Sequence, residues 1–266
     1  MKQLDAALAR AKSEGRAALV AYFCAGDPDP ETTVEVAVAA AEEGADILEI
    51  GMPFSDPTAD GVAIQRASER ALRGGMTLKK TIEVARAIRA RSSVPMVLFG
   101  YYNPVLAFGE QALCRAAKAA GFDGLLVVDL PPEECESLRT PANREGLAFV
   151  PLLAPTSSQA RIELASRVAD SFIYYVSLTG VTGSAVANLT QAAERARQIK
   201  EQSQKPVVVG FGVSSGADVQ KLAGHADGVV VGSALVKVVE QSKDRASAVQ
   251  GVRELVRDLA SGLRAR

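Results

Sequence analysis

Short apolar runs alternate with longer amphipathic stretches along the whole of this chain. The runs are Leu19–Phe23, Ile47–Ile50, Met96–Phe99, Leu125–Val128, Ala148–Leu153, Phe172–Val176, Val207–Val209 and Val229–Val231. Most contain no polar residue, as expected of parallel strands covered on both faces. Helix-like segments lie between them, among them Glu31–Glu43, Leu78–Ala90, Glu110–Ala120, Gln159–Ala169 and Gln191–Gln202. Three helix-to-strand turns resemble one another: Glu42–Asp46, Ala119–Asp123 and His225–Gly228. The first two carry glycine where a helix commonly ends. This eightfold alternation predicts an α/β fold, a single (β/α)8 TIM barrel with active-site loops at the C-terminal face of its strands. An open doubly wound sheet is the alternative, because strand number alone does not impose closure. The 266 residues suit one barrel, which takes ~250, and no linker interrupts residues 1–266.

Charge narrows the function. Thirty basic residues face 31 acidic ones, for a net charge of −1, so no basic footprint for nucleic acid or an anionic membrane is present. Cys24, Cys114 and Cys135 are far apart and form no C-x-x-C pair, which argues against a disulfide framework or a thiolate metal site. His225 is the only histidine. It precedes a strand, on the side of a barrel opposite the usual active site, and reads as structural. No metal site is expected. The segment Met1–Gly15 reads as an extra amphipathic N-terminal helix rather than a signal peptide. No apolar run approaches the ~20 residues that span a bilayer, and the expected location is cytoplasmic.

Two features carry chemistry. In Asp46-Ile-Leu-Glu-Ile-Gly51, strand alternation puts Ile47 and Glu49 on one face and Leu48 and Ile50 on the other. An ionised carboxylate buried there costs several kcal/mol unless it is paired or serves a cavity. Its place at the strand's C-terminal end makes Glu49 a candidate general acid/base. The loop that follows, Met52–Gly61, holds Asp56 and Asp60 among prolines; turn chemistry explains both, but the position favours function. The second feature is a pair of glycine-rich turns, Val209–Gly216 and Val231–Ala234, at the ends of the seventh and eighth runs. Barrels commonly bind phosphate there. A third turn, Ser177–Asn188, reads as a lid. Aromatic residues near strand ends could line an apolar pocket beside the phosphate.

Several stretches together resemble the tryptophan synthase α subunit family. They are Leu48–Gly61, Ala25–Pro28, Tyr101-Tyr-Asn-Pro104, Asp129–Glu134, Leu153–Ser157, Gly180–Gly183, Gly210–Ser215 and Gly232–Ala234. The resemblance implies retro-aldol cleavage of indole-3-glycerol phosphate to indole and glyceraldehyde 3-phosphate. Glu49 matches the acid/base and Asp60 the group that holds the indole N–H. Tyr174, Phe211, Tyr22, Tyr102 and Thr182 match substrate-pocket or lid positions. Gly183, Gly212, Gly232 and Ser233 match the phosphate cradle. The resemblance also implies a pyridoxal-phosphate-dependent β subunit as partner in an αββα heterotetramer, with Asp56 and Asn103 facing it and no cofactor in this chain. Val62 and Leu178 depart from the family pattern without removing a catalytic group. Other readings are a related phosphate-binding barrel enzyme, a stand-alone indole-producing lyase, and a catalytically quiet subunit that activates its partner.

Overall fold

The structure, a computed structural model, describes residues 2–176 and 185–263. The parallel strand segments are β1 (Ala18–Cys24), β2 (Ile47–Gly51), β3 (Met96–Gly100), β4 (Gly124–Val127), β5 (Ala148–Phe149), β6 (Leu152–Leu153), β7 (Ile173–Val176), β8 (Val207–Gly210) and β9 (Gly228–Val231). They lie in the order β5-β4-β3-β2-β1-β9-β8-β7-β6. The two ends of that order are one continuous piece of chain. Val150 N donates to Leu125 O at 2.9 Å on one flank, and Tyr174 N donates to Pro151 O at 3.0 Å on the other. The run expected as a single strand over Ala148–Leu153 therefore closes the sheet into a (β/α)8 barrel. It reads as two short segments because Pro151 has no N–H to give to the ladder.

The helices form the outer ring. They are α1 (Lys2–Ser13), α2 (Pro30–Glu42), α3 (Val62–Arg73), α4 (Leu78–Arg89), α5 (Tyr102–Phe108), α6 (Glu110–Ala120), α7 (Glu136–Arg144), α8 (Gln159–Val168), α9 (Ala185–Ser203), α10 (Gly216–Ala223), α11 (Ser233–Gln241) and α12 (Arg245–Ser261). Helix α1 bears out the expected N-terminal helix. Its buried Leu4 lies under the barrel floor, where a Cβ on Gly124 would come within 3.0 Å of the Leu4 side chain. Among the described residues no helix is long and apolar enough to cross a membrane.

The N-terminal rim is stapled by a repeated device. Asp46 accepts the N–H of Leu19 at 2.9 Å, Asp123 that of Met96 at 3.1 Å, Asp170 that of Phe149 at 3.1 Å and Asp227 that of Val207 at 3.0 Å. Each aspartate sits just before one strand and ties down the first N–H groups of the strand before it. Each is also neutralised by a cation: Arg16 and Arg10 on Asp46, Arg89 on Asp123, Arg139 on Asp170 and Lys200 on Asp227. The resemblance among the turns ending in Asp46, Asp123 and Asp227 thus has a structural meaning. The cations keep 16% to 56% of their side chains exposed, so solvent screens these pairs and each contributes less than a fully buried one.

Strand register then decides what faces inward. Tyr22 on β1, Glu49 on β2, Val97 on β3 and Gly124 on β4 are successive register partners, so the side chains of the first three share the barrel interior. Ile47 and Gly51 share that face with Glu49, as the sequence alternation predicts.

Candidate active site

Glu49 is fully buried, and neither carboxylate oxygen has a hydrogen-bond partner. Burial in this apolar setting pushes its pKa up to about 8. The carboxyl is therefore mostly protonated at neutral pH, and it stands at the middle of β2, two residues before the C-terminal end where barrel enzymes place their chemistry.

Three aromatic rings surround it. Tyr22 meets Phe99 edge to face at 5.3 Å, and Phe99 lies 6.4 Å from Tyr174. Two strand-end glycines make room for the phenols: a Cβ on Gly51 would lie 2.3 Å from the Tyr22 hydroxyl, and one on Gly210 would lie 2.5 Å from that of Tyr174. Both phenols are pushed well above 10, chiefly by burial, with the charges of Glu49 and Asp60 adding to it. Phe211, also buried, follows β8.

The loop after β2 carries the second carboxylate. Burial raises the pKa of Asp60 to about 6, while a hydrogen bond from Tyr101 works against that rise. The Tyr101 hydroxyl also accepts the N–H of Ala59 at 3.1 Å, and the Tyr101 ring stacks on Phe54 at 5.1 Å. Gln65 donates to the Asp60 carbonyl at 2.9 Å, tying the loop to the first turn of α3. Glu49 and Asp60 thus share one pocket with opposite protonation preferences at pH 7: one holds its proton, the other has lost it.

The structure sets Tyr102 apart from this group, contrary to the pocket position that the sequence resemblance implies. Its hydroxyl bonds Glu110 at 2.8 Å and Ser137 at 3.2 Å, out among α6 and α7. Tyr101 is the residue that meets Asp60. Alternation could have found it, since Tyr101 continues the Phe99 face two residues on whereas Tyr102 begins α5.

The phosphate candidates lie at the same end. Gly232 is the N-cap of α11, whose first turn begins at Ser233 and has no side-chain cap. Several other helices also start without a side-chain cap, α3, α5, α6 and α7 among them, whereas Ser215 caps α10 and Asp244 caps α12. Free N–H groups at a helix start, with the positive end of its dipole, favour an anion. Gly61 lies beside this turn, because a Cβ there would come 3.8 Å from Ser233 Oγ. Gly212 has φ +54 and open space around its Cβ position, so a backbone approach from outside meets nothing. Thr182 and Gly183 fall outside the described residues, as does most of the turn read as a lid. Asp56 and Asn103 are exposed, and the exposed large apolar residues among the described ones are Val62 at 63% and Leu106 at 53%.

A cleft of about 490 Å³ opens at the other end of the barrel, lined by Lys12, Lys200, Lys205 and His225 among others. Its position agrees with a structural reading of His225. The C-termini of α1, α9 and α10 end near it, and basic side chains there complement exposed helix carbonyls; no carboxylate in an apolar pocket accompanies them. Among the described residues no group of three or more histidine, cysteine or acidic side chains could hold a metal.

A closed (β/α)8 barrel with two carboxyls of raised pKa and an aromatic pocket at its C-terminal mouth defines a class: barrel proteins whose mouth is equipped for acid/base chemistry on a small molecule. Within it, the tryptophan synthase alpha chain family matches residues 8–264. Solved structures agree. A chain of Mycobacterium tuberculosis tryptophan synthase is 35% identical, with 99% of this chain and 98% of that one covered and a TM-score of 0.88. The tryptophan synthase subunit alpha of Legionella pneumophila is 35% identical over 98% of both chains, with a TM-score of 0.89. A chain from Aquifex aeolicus is 39% identical, covering 98% of this chain and 99% of that one, again at 0.89. The chain belongs to the tryptophan synthase alpha chain family.

Proposed function

We propose that this chain cleaves indole-3-glycerol phosphate to indole and glyceraldehyde 3-phosphate, and passes the indole to a pyridoxal-phosphate-dependent β subunit in an αββα complex. The observation that carries the reading is Glu49: a carboxyl buried without partners and with its pKa at about 8. A protonated acid at neutral pH is what the first step needs. Glu49 delivers its proton to the indole carbon bearing the glycerol chain, leaving positive charge on the ring nitrogen. The Asp60 carboxylate accepts the ring N–H and stabilises that charge. The Glu49 carboxylate then takes the proton of the adjacent chain hydroxyl. The O–H electron pair becomes the new carbonyl bond, the carbon–carbon bond breaks, and its electrons return to the ring. Glu49 ends protonated, ready for another cycle. Two carboxyls held at different pKa values by different surroundings divide the tasks.

Gly212, Gly232 and Ser233 hold the phosphate in this scheme, with Gly183, and Thr182 meets Asp60 from the lid. Tyr22, Tyr174 and Phe211 line the indole and chain. Asp56 and Asn103 face the β subunit, and this chain needs no cofactor of its own. The test is Glu49→Gln, which keeps the side chain's size and removes the transferable proton. Indole formation should fall by at least a thousandfold with the phosphate end still bound; near-normal turnover would remove Glu49 from the mechanism.

A further inference from the structure

In the barrel mouth the Glu49 carboxyl is buried with no hydrogen-bond partner among the described residues, and the buried rings of Tyr22 and Tyr174 lie beside it. The Tyr101 hydroxyl, further out along the loop, is satisfied by Ala59 and Asp60.

Tyr22 is the informative case, because its ring spans two parts of the site. At its base, a Cβ on Gly232 would come 3.4 Å from Tyr22 Cδ1, which puts that edge against the start of α11. At its tip, the hydroxyl stands over Gly51, two residues beyond Glu49 on the same inward face. The ring is 4% exposed and held edge to face by Phe99, so the hydroxyl has little freedom to turn elsewhere. Burial keeps the phenol neutral and therefore a donor. A ligand with its phosphate on α11 and its indole beside Asp60 must run its connecting chain along this edge.

We propose that the Tyr22 hydroxyl recognises the hydroxylated chain of the substrate, giving it a hydrogen bond that distinguishes it from an indole phosphate lacking chain hydroxyls. This rests on the lyase reading and names a specificity determinant within it. An apolar ring at position 22 would fill the same space and make the same contacts to Phe99, but could not make that distinction.

The experiment is a cycle of protein against ligand. Wild type and Tyr22→Phe are compared for kcat/KM on indole-3-glycerol phosphate and for inhibition by an analogue whose three-carbon phosphate chain carries no hydroxyl. The expected result is a fall of about tenfold in kcat/KM, the effect of one lost hydrogen bond, with the analogue's inhibition constant unchanged within about twofold. Equal losses for both ligands would make Tyr22 a packing residue, and no loss for either would make its hydroxyl idle; each overturns the proposal while the wild-type enzyme remains active. A wild-type chain that releases no indole overturns the lyase reading, and this inference with it.

Discussion

Glu49 should destabilise the fold that carries it, and the cost should depend on pH. Its folded pKa is about 8 against an ordinary 4.5. For a carboxyl raised by burial, the stabilising contribution is complete below the unfolded value and is lost as pH rises through the folded one. At pH 5.5 the loss is about 1 kcal/mol, and by pH 8 it is about 4 kcal/mol. Glutamine has the shape of the protonated acid and cannot ionise, so Glu49→Gln removes the penalty and little else. The advantage of the variant over wild type should therefore grow by about 3 kcal/mol between those pH values. Urea unfolding followed by far-UV circular dichroism measures it, which suits a chain with no tryptophan. If the two proteins differ by a constant amount across this range, Glu49 is not held protonated by burial. The acid/base argument would then fail with it.

Four further outcomes follow from the same geometry. Indole release against pH should give a bell, limited below about pH 6 as Asp60 takes up a proton and above about pH 8 as Glu49 loses one; a flat profile across both would contradict the division of roles. Tyr101→Phe removes a hydrogen bond that lowers the Asp60 pKa, so the acid limb should move to higher pH, and an unmoved limb would show that Tyr101 does not hold Asp60. Gly51→Ala puts a methyl 2.3 Å from the Tyr22 hydroxyl and should cost ~1–3 kcal/mol by overpacking, with part of the stability restored by adding Tyr22→Phe; a fully stable single variant would refute the close approach. All three cysteines are buried, and burial raises their pKa to about 12 for Cys24 and about 11 for Cys114 and Cys135. A disulfide reagent should titrate none quickly in the native protein and all of them in urea, and rapid native reaction would show an open thiol.

Much of this architecture is written locally. Apolar runs set the strands, and alternation puts Ile47 and Glu49 on one face, but only the closed barrel and its register show that this face is the interior. Parity also separates Tyr101 from Tyr102, where the family resemblance alone points to Tyr102. The two lie one residue apart, and the end of β3 sends them to opposite sides. Other features depend on distant partners and leave no local trace. Asp46 reads as a turn residue, yet it holds Leu19 and Arg16, 27 and 30 residues away. Pro151 interrupts a ladder that an apolar run alone would draw as continuous.

The central claim is tested most directly by following indole release from indole-3-glycerol phosphate, first with this chain alone and then with a cognate β subunit added. The account predicts slow release by the isolated chain that rises strongly when the β subunit is present. A folded chain that releases no indole in either condition would contradict it.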